Sequence, residues 1–160
     1  MNIIAPQTPF GYTIFCDDVR VEITGKNIFI GVYNGVVMLT QLPALVPSLY
    51  AIVRYTERKG ESSDPVVIKV FEPENDMPII SIDVPVDEMR ATVIPEGLTD
   101  DPMVTAMIPI AFMPFQFEKE GFIKVRAYRG DDEIRLGSLR VQLAPQNGMP
   151  LVPPPQPPQT

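Results

Sequence analysis

Between Gly121 and Leu143 the chain reads as two runs of alternating apolar and polar residues around a Gly130-Asp131-Asp132 corner, the pattern of a β-hairpin. In the first run Ile123, Val125 and Ala127 share one parity, and Phe122, Lys124, Arg126 and Tyr128 share the other. Successive strand side chains point to opposite faces, so one face is dry and the other polar or amphipathic. In the return run Ile134 and Leu136 share a parity, but Leu139, Val141 and Leu143 have the opposite one. A one-residue slip turns every side chain over. A β-bulge at Gly137 is therefore expected, because it keeps both sets on the core side.

The same alternation, broken by turn residues, runs through most of the chain. Tyr12 to Cys16 reads as a strand, Asp17-Asp18 interrupts it, and Val19 to Ile23 resumes it. Thr24-Gly25-Lys26 is a turn, Lys26 to Tyr33 a strand, and Asn34-Gly35 a hairpin dipeptide before the next run, VVMLT. Pro43 and Pro47 make QLPALVP a connection or an edge. Ser48 to Arg58 is a long strand with Leu49, Ala51, Val53 and Tyr55 on one parity. KGESSDP is a loop; Val66 to Glu72 and Ile79 to Val84 are strands around the turn PENDMP. Residues 85–103 show only one short β-like run, ATVI. Val104 to Phe117 is apolar at almost every position, as in a buried strand, although Pro109 and Pro114 call for an edge, a bulge or a bend there. No helical stripe of 3.6-residue period persists.

Residues 1–11 are expected to be a lead-in, 12–144 a single β-sandwich domain, and 145–160 an extended proline-rich tail, which holds 7 of the 19 prolines and no charge. The 160 residues, 45% hydrophobic, suit one core. A net charge of -7 and a pI near 4.5 argue against general nucleic-acid binding, which needs a basic surface. No apolar run reaches the ~18 residues of a membrane span. MNIIAPQTPFG has neither the basic start nor the apolar centre of a secretory signal, and Cys16 is the lone cysteine, so a cytoplasmic location is expected.

No histidine occurs anywhere in the chain. That excludes Ser-His-Asp and Cys-His arrangements and imidazole metal ligands supplied by this chain. It also removes the commonest acid–base group. The glycines never fall two apart, so no Gly-x-Gly nucleotide loop and no Gly-x-Ser-x-Gly elbow is present. The chain is read as a non-enzyme without a cofactor.

Two resemblances follow. The hairpin Gly121-Phe122-x-x-x-Arg126-x-Tyr128, entered from Glu118-Lys119-Glu120, looks like the last two strands of immunoglobulin-like domains, without their bridge cysteines or tryptophan. It implies an all-β fold: an antiparallel immunoglobulin-like β-sandwich of roughly seven to nine strands, closed by the 121–143 hairpin. At the other end, Cys16, Asp17, Asp18, Arg20, Glu22, Gly25, Lys26, Gly31, Val32 and Tyr33 resemble the opening of a group of uncharacterised bacterial proteins. That likeness covers about an eighth of the chain and implies a relative but no activity.

Candidate sites are few. Asp17, Asp18, Arg20, Glu22 and Lys26 form a dense polar cluster. It reads either as a structural knot, with Arg20 or Lys26 pairing the aspartates, or as carboxylates for a cation or for acid–base chemistry. Acidic loops at Glu72-Glu74-Asp76, Asp87-Glu88, Asp100-Asp101 and Asp131-Asp132 would bind calcium only if several shared one end of the fold. Lys124, Arg126, Arg135 and Arg140, with Arg129 near the turn, put five of the 13 basic residues on the outer hairpin face. That face is either solvated or a docking surface for an acidic partner. Met103, Met107, Met113, Phe112, Phe115 and Phe117 are core or a patch for a second subunit. PPPQPP reads as a passive tail or a polyproline ligand.

The function expected is a non-catalytic protein-binding or structural module, with a protein partner or a second copy of itself. The alternative is a small-ligand or metal-ion domain, or a carboxylate hydrolase, centred on Asp17, Asp18 and Glu22.

Overall fold

A computed structural model describes residues 7–91 and 102–145. Most of the ATVI run and the tail beyond Pro145 lie outside the described residues. Thirteen strands are present among them: β1 (Phe10–Cys16), β2 (Asp18–Val21), β3 (Asn27–Ile30), β4 (Val36–Leu39), β5 (Ala44–Val46), β6 (Leu49–Arg58), β7 (Val66–Phe71), β8 (Pro78–Val84), β9 (Arg90–Ala91), β10 (Met103–Phe112), β11 (Phe115–Phe117), β12 (Gly121–Arg129) and β13 (Asp132–Leu143). A three-residue 3-10 turn, Val86–Glu88, precedes β9. The protein is all-β.

Two larger sheets, ordered β1-β6-β10-β9 and β4-β13-β12-β7-β8, carry most of the structure. Two short pairs, β2-β3 and β5-β11, stand beside them, which is why the strand total exceeds the seven to nine expected. Alternation along β6, β7 and β12 sends Leu49, Val53, Ile68, Val70, Ile123 and Val125 into one buried cluster shared by both large sheets. Each of these is at most 1% exposed, so truncating any one would leave a cavity.

The 121–143 hairpin turns at Gly130 (φ +59) and Asp131, with Arg129 opposite Asp132. Glycine supplies the positive φ that a two-residue hairpin loop demands. The bulge is where the parity break placed it. Val125 faces Gly137 and Arg126 faces Arg135, leaving Leu136 as the extra residue; Gly137 has φ +125. Leu136, Leu139 and Val141 are all buried as a result. Leu143 is exposed, lying at the strand's end, where its N–H donates to Glu120 Oε1 at 2.7 Å.

Three expectations need correction. The hairpin does not close the fold: β12 and β13 are interior strands, and the sheets stay open. Nor is every pair antiparallel, because β13 runs parallel to β4. Asn34-Gly35 makes no hairpin: β3 pairs with β2, and β4 belongs to the five-stranded sheet. Residues 31–35 instead cross between sheets, held by Tyr33 N–H to Phe15 O (2.9 Å) and Arg140 N–H to Gly35 O (2.9 Å).

The apolar run 104–117 divides. Phe115 and Phe117 are buried, and Phe115 makes edge-on ring contacts with both Phe112 and Phe117. Met107 and Met113 are exposed. Pro109 sits inside β10, opposite Ile52 of β6, with no strand on its other side among the described residues. A missing N–H is tolerated only where no ladder needs it.

Candidate functional site

The N-terminal polar cluster lies on an arm. β2 and β3 form a two-stranded hairpin around Gly25 (φ +82), where Glu22 N–H donates to Lys26 O at 2.8 Å. Asp17 sits at its root. Its Oδ1 accepts from Tyr33 Oη at 2.5 Å, its carbonyl accepts from Ser48 Oγ at 2.5 Å, and its N–H donates to Ile30 O at 2.9 Å. Gly31 (φ +65) packs against the Asp17 carboxylate so closely that a Cβ would collide with it. Asp17 therefore ties the arm to the chain that follows.

Asp18 Oδ1 accepts from Val19 N–H (2.9 Å), and Oδ2 accepts from Arg20 Nε (3.1 Å). Glu22 Oε2 accepts from Thr24 Oγ1 at 3.1 Å. Thus Arg20 pairs with one aspartate, while the other is held by Tyr33, whose role the sequence reading missed. Lys26 contributes its backbone carbonyl to the turn. The three carboxylates of Asp17, Asp18 and Glu22 each have a separate partner and do not converge. No group of three or more Cys, Asp or Glu side chains among the described residues is placed to hold an ion.

Burial, followed by the hydrogen bond to Asp17, pushes the Tyr33 phenol well above its ordinary range. Burial and then the Asp17 charge likewise raise the Cys16 thiol. A thiol held protonated is a poor nucleophile.

The rest of the arm is apolar and bare. Val21 is 68% exposed and Ile23 105%, and Ile28, Ile30 and Val32 are exposed too, Ile28 and Ile30 on the face opposite Val21. An isolated two-stranded hairpin is marginal in water, and this one covers little of its own apolar surface.

On the outer hairpin face, register puts Arg126 beside Arg135 and Phe122 beside Arg140. Arg126 is paired by Glu133, whose Oε1 lies 3.3 Å from Arg126 Nε and whose Oε2 accepts from Tyr128 Oη at 3.1 Å. Lys69 of β7 lies 4.7 Å from the centre of the Tyr128 ring, and the Arg140 guanidinium 6.0 Å from that of Phe122. Lys124 and Arg126 line a shallow hollow of about 270 Å³ with Asp76 and Glu133. The face is a mixed ladder of both signs and rings, and its basic charge is partly offset. Tyr128 takes the outer position its parity gave it, and Lys69 and Glu133 also belong to the face although they were not singled out from the sequence.

Arg129 is not on that face. It is 8% exposed and points inward to Glu57, itself 1% exposed, with which it forms an ion pair through Nη2. Its Nη1 donates to Asp64 O and its Nη2 also to Ser62 O (3.1 Å), while Tyr55 Oη donates to the other Glu57 oxygen at 2.8 Å. Burial and then the bond to Glu57 raise the Tyr55 phenol strongly. The signal was available: Arg129 shares the parity of Ile123, Val125 and Ala127, and Glu57 that of Val53 and Tyr55. Opposite charges on two inward faces are affordable only as a pair.

These geometries define an all-β, multi-sheet protein whose clustered carboxylates have partners within the fold, while Arg129 Nε is buried with no hydrogen-bond partner. The chain belongs to a family of unknown function, DUF6941, whose model matches residues 11–142. No curated protein and no solved structure gives a match. No helix among the described residues is long and apolar enough to cross a membrane.

Proposed function

We propose that this chain is a non-catalytic protein-binding module, an immunoglobulin-like β-sandwich of the bacterial cytoplasm that docks through the β2–β3 arm. The observation that carries the reading is the bare apolar side chains on that arm, Val21 and Ile23 on one face and toward the turn, Ile28 and Ile30 on the other face. Apolar surface left bare on both faces of a thin element gains by being covered. The charges around it, Asp18 and Glu22 against Arg20 and Lys26, sum to zero on a chain of net charge -7. The arm's own charges therefore add no net repulsion toward an acidic partner, a second copy included. The residue types support the absence of catalysis: no histidine, a buried thiol, and carboxylates each engaged in turn or loop bonds.

A photo-crosslinking residue placed at Ile23 in living cells tests this. A covalent adduct to a second polypeptide is expected there, and not from an exposed polar control such as Lys59. Equal adducts at both positions, or none at either, would contradict the reading.

A further inference from the structure

β10 is paired with β6 along its whole length, but on its other side β9 meets it only at Val104 and Thr105. The chain cannot continue that pairing, because residues 86–88 coil into the 3-10 turn and Met89 points into the core. From Ala106 to Phe112 the β10 edge thus has no neighbour among the described residues. Across from it runs β8, the last strand of the other sheet. Between these two edges lies a groove of about 820 Å³. Its buried and half-buried lining is Ile82, Val84, Ala106 and Ile108 together with Thr105 and Arg54, and Asp83, Glu88 and Arg90 stand exposed at its rim.

Two features point to what fits. Exposed sheet edges are normally blunted by charge, yet Met103 to Phe117 contains no charged residue, and within β10 only Pro109 interrupts the row of donors. Second, Arg54 lines the β10 side of the groove half-buried, and among the described residues it makes no ion pair. Residues of β8 and of the 86–90 segment line the groove beside that edge. A single extended segment can lie there: Ala106 to Pro109 offers a bed of about 14 Å at ~3.4 Å per residue.

We propose that this groove binds one extended peptide segment of a partner as an added strand on β10. Its apolar side chains would rest on Ala106, Ile108 and Ile82, and a carboxylate would meet Arg54. Main-chain bonds to an edge supply affinity, and alternate side chains supply selectivity. The inference rests on the protein-binding reading but uses a surface separate from the arm.

The test is to pan a phage-displayed random dodecapeptide library on the full chain and to measure the enriched peptides by fluorescence anisotropy. Enriched sequences are expected to alternate apolar residues and to carry Asp or Glu. Binding is expected to fall at least about tenfold on Arg54→Glu, with recovery when the peptide's acidic residue is changed to Lys. Met107→Pro, which shares the parity of Pro109 and removes an edge donor, is expected to weaken binding similarly without lowering the melting temperature. Ile23→Asp is expected to bind the same peptides undiminished. No enrichment over empty wells, or equal affinity for wild type and Arg54→Glu, would overturn the proposal. Peptides lost only on Ile23→Asp would overturn it too, while leaving the arm's role standing.

Discussion

The buried Glu57–Arg129–Tyr55 group and the Asp17/Asp18–Arg20–Tyr33 group on the arm use the same chemistry in opposite surroundings. Each sets a tyrosine hydroxyl on a carboxylate and an arginine on a carboxylate. In the first, both charges are at least nine-tenths buried; in the second, the Arg20 and Asp18 side chains are 70% and 41% exposed. Water screens the exposed pair and would solvate either partner alone, whereas the buried pair has no such alternative. The difference separates a part of the molecule that holds the fold from a part free to change. It also shows why charge density alone did not locate a site.

The comparison can be broken or sharpened in order of effect. Glu57→Ala strands the Arg129 guanidinium in the core and is expected to cost about 3–5 kcal/mol in urea-unfolding free energy. The double variant Glu57→Ala with Arg129→Met should cost less than the sum of the two single changes. Additive losses would show that the pair is not coupled.

Next comes the arm's root. Gly31→Ala places a Cβ against Asp17 at a positive φ and should cost about 1–3 kcal/mol. Gly25→Ala, also at positive φ but with nothing within 4 Å, should cost less by the same measurement. Equal costs would mean that the Asp17 contact contributes nothing.

Tyr33→Phe removes one hydrogen bond, for about 1 kcal/mol, and it also tests a pH dependence. Tyr33 and Tyr55 ionise above the ordinary tyrosine value of 10.0 in the fold. Above about pH 10 the unfolded chain therefore releases protons that the folded chain retains. Stability should be level below that pH and fall as pH rises through it. Thermal melts from pH 8 to 11 (roughly spanning the tyrosine range) should show a shallower decline for Tyr33→Phe than for wild type. The smallest effect belongs to Arg20→Ala, within about 0.5 kcal/mol, since exposed pairs contribute little.

Much of the fold was legible because the parity rule is local. Inward residues of β6, β7 and β12 could be read one strand at a time, and the clash between Ile134-Leu136 and Leu139-Val141 located the bulge at Gly137. What could not be read was non-local. Asn34-Gly35 has the composition of a hairpin turn, but the long-range pairing of β4 with β13 overrides it. The two-residue reach of β9 along β10, and hence the groove, depends on how two sheets face one another, which no local pattern encodes. At the candidate site, Asp18 with Arg20 was readable from spacing, whereas Asp17 with Tyr33 joins residues brought together by the crossing at Gly31. Arg129 was readable by parity, had its inward position been weighed above its nearness to the turn.

The division between a holding region and a recognising region is tested most directly by measuring stability and crosslinking on the same arm variant. Val21→Asp, made with the crosslinker at Ile23, should leave the melting temperature within the scatter of surface substitutions and abolish the adduct to a second polypeptide. A variant that melts early while its adduct persists would contradict it.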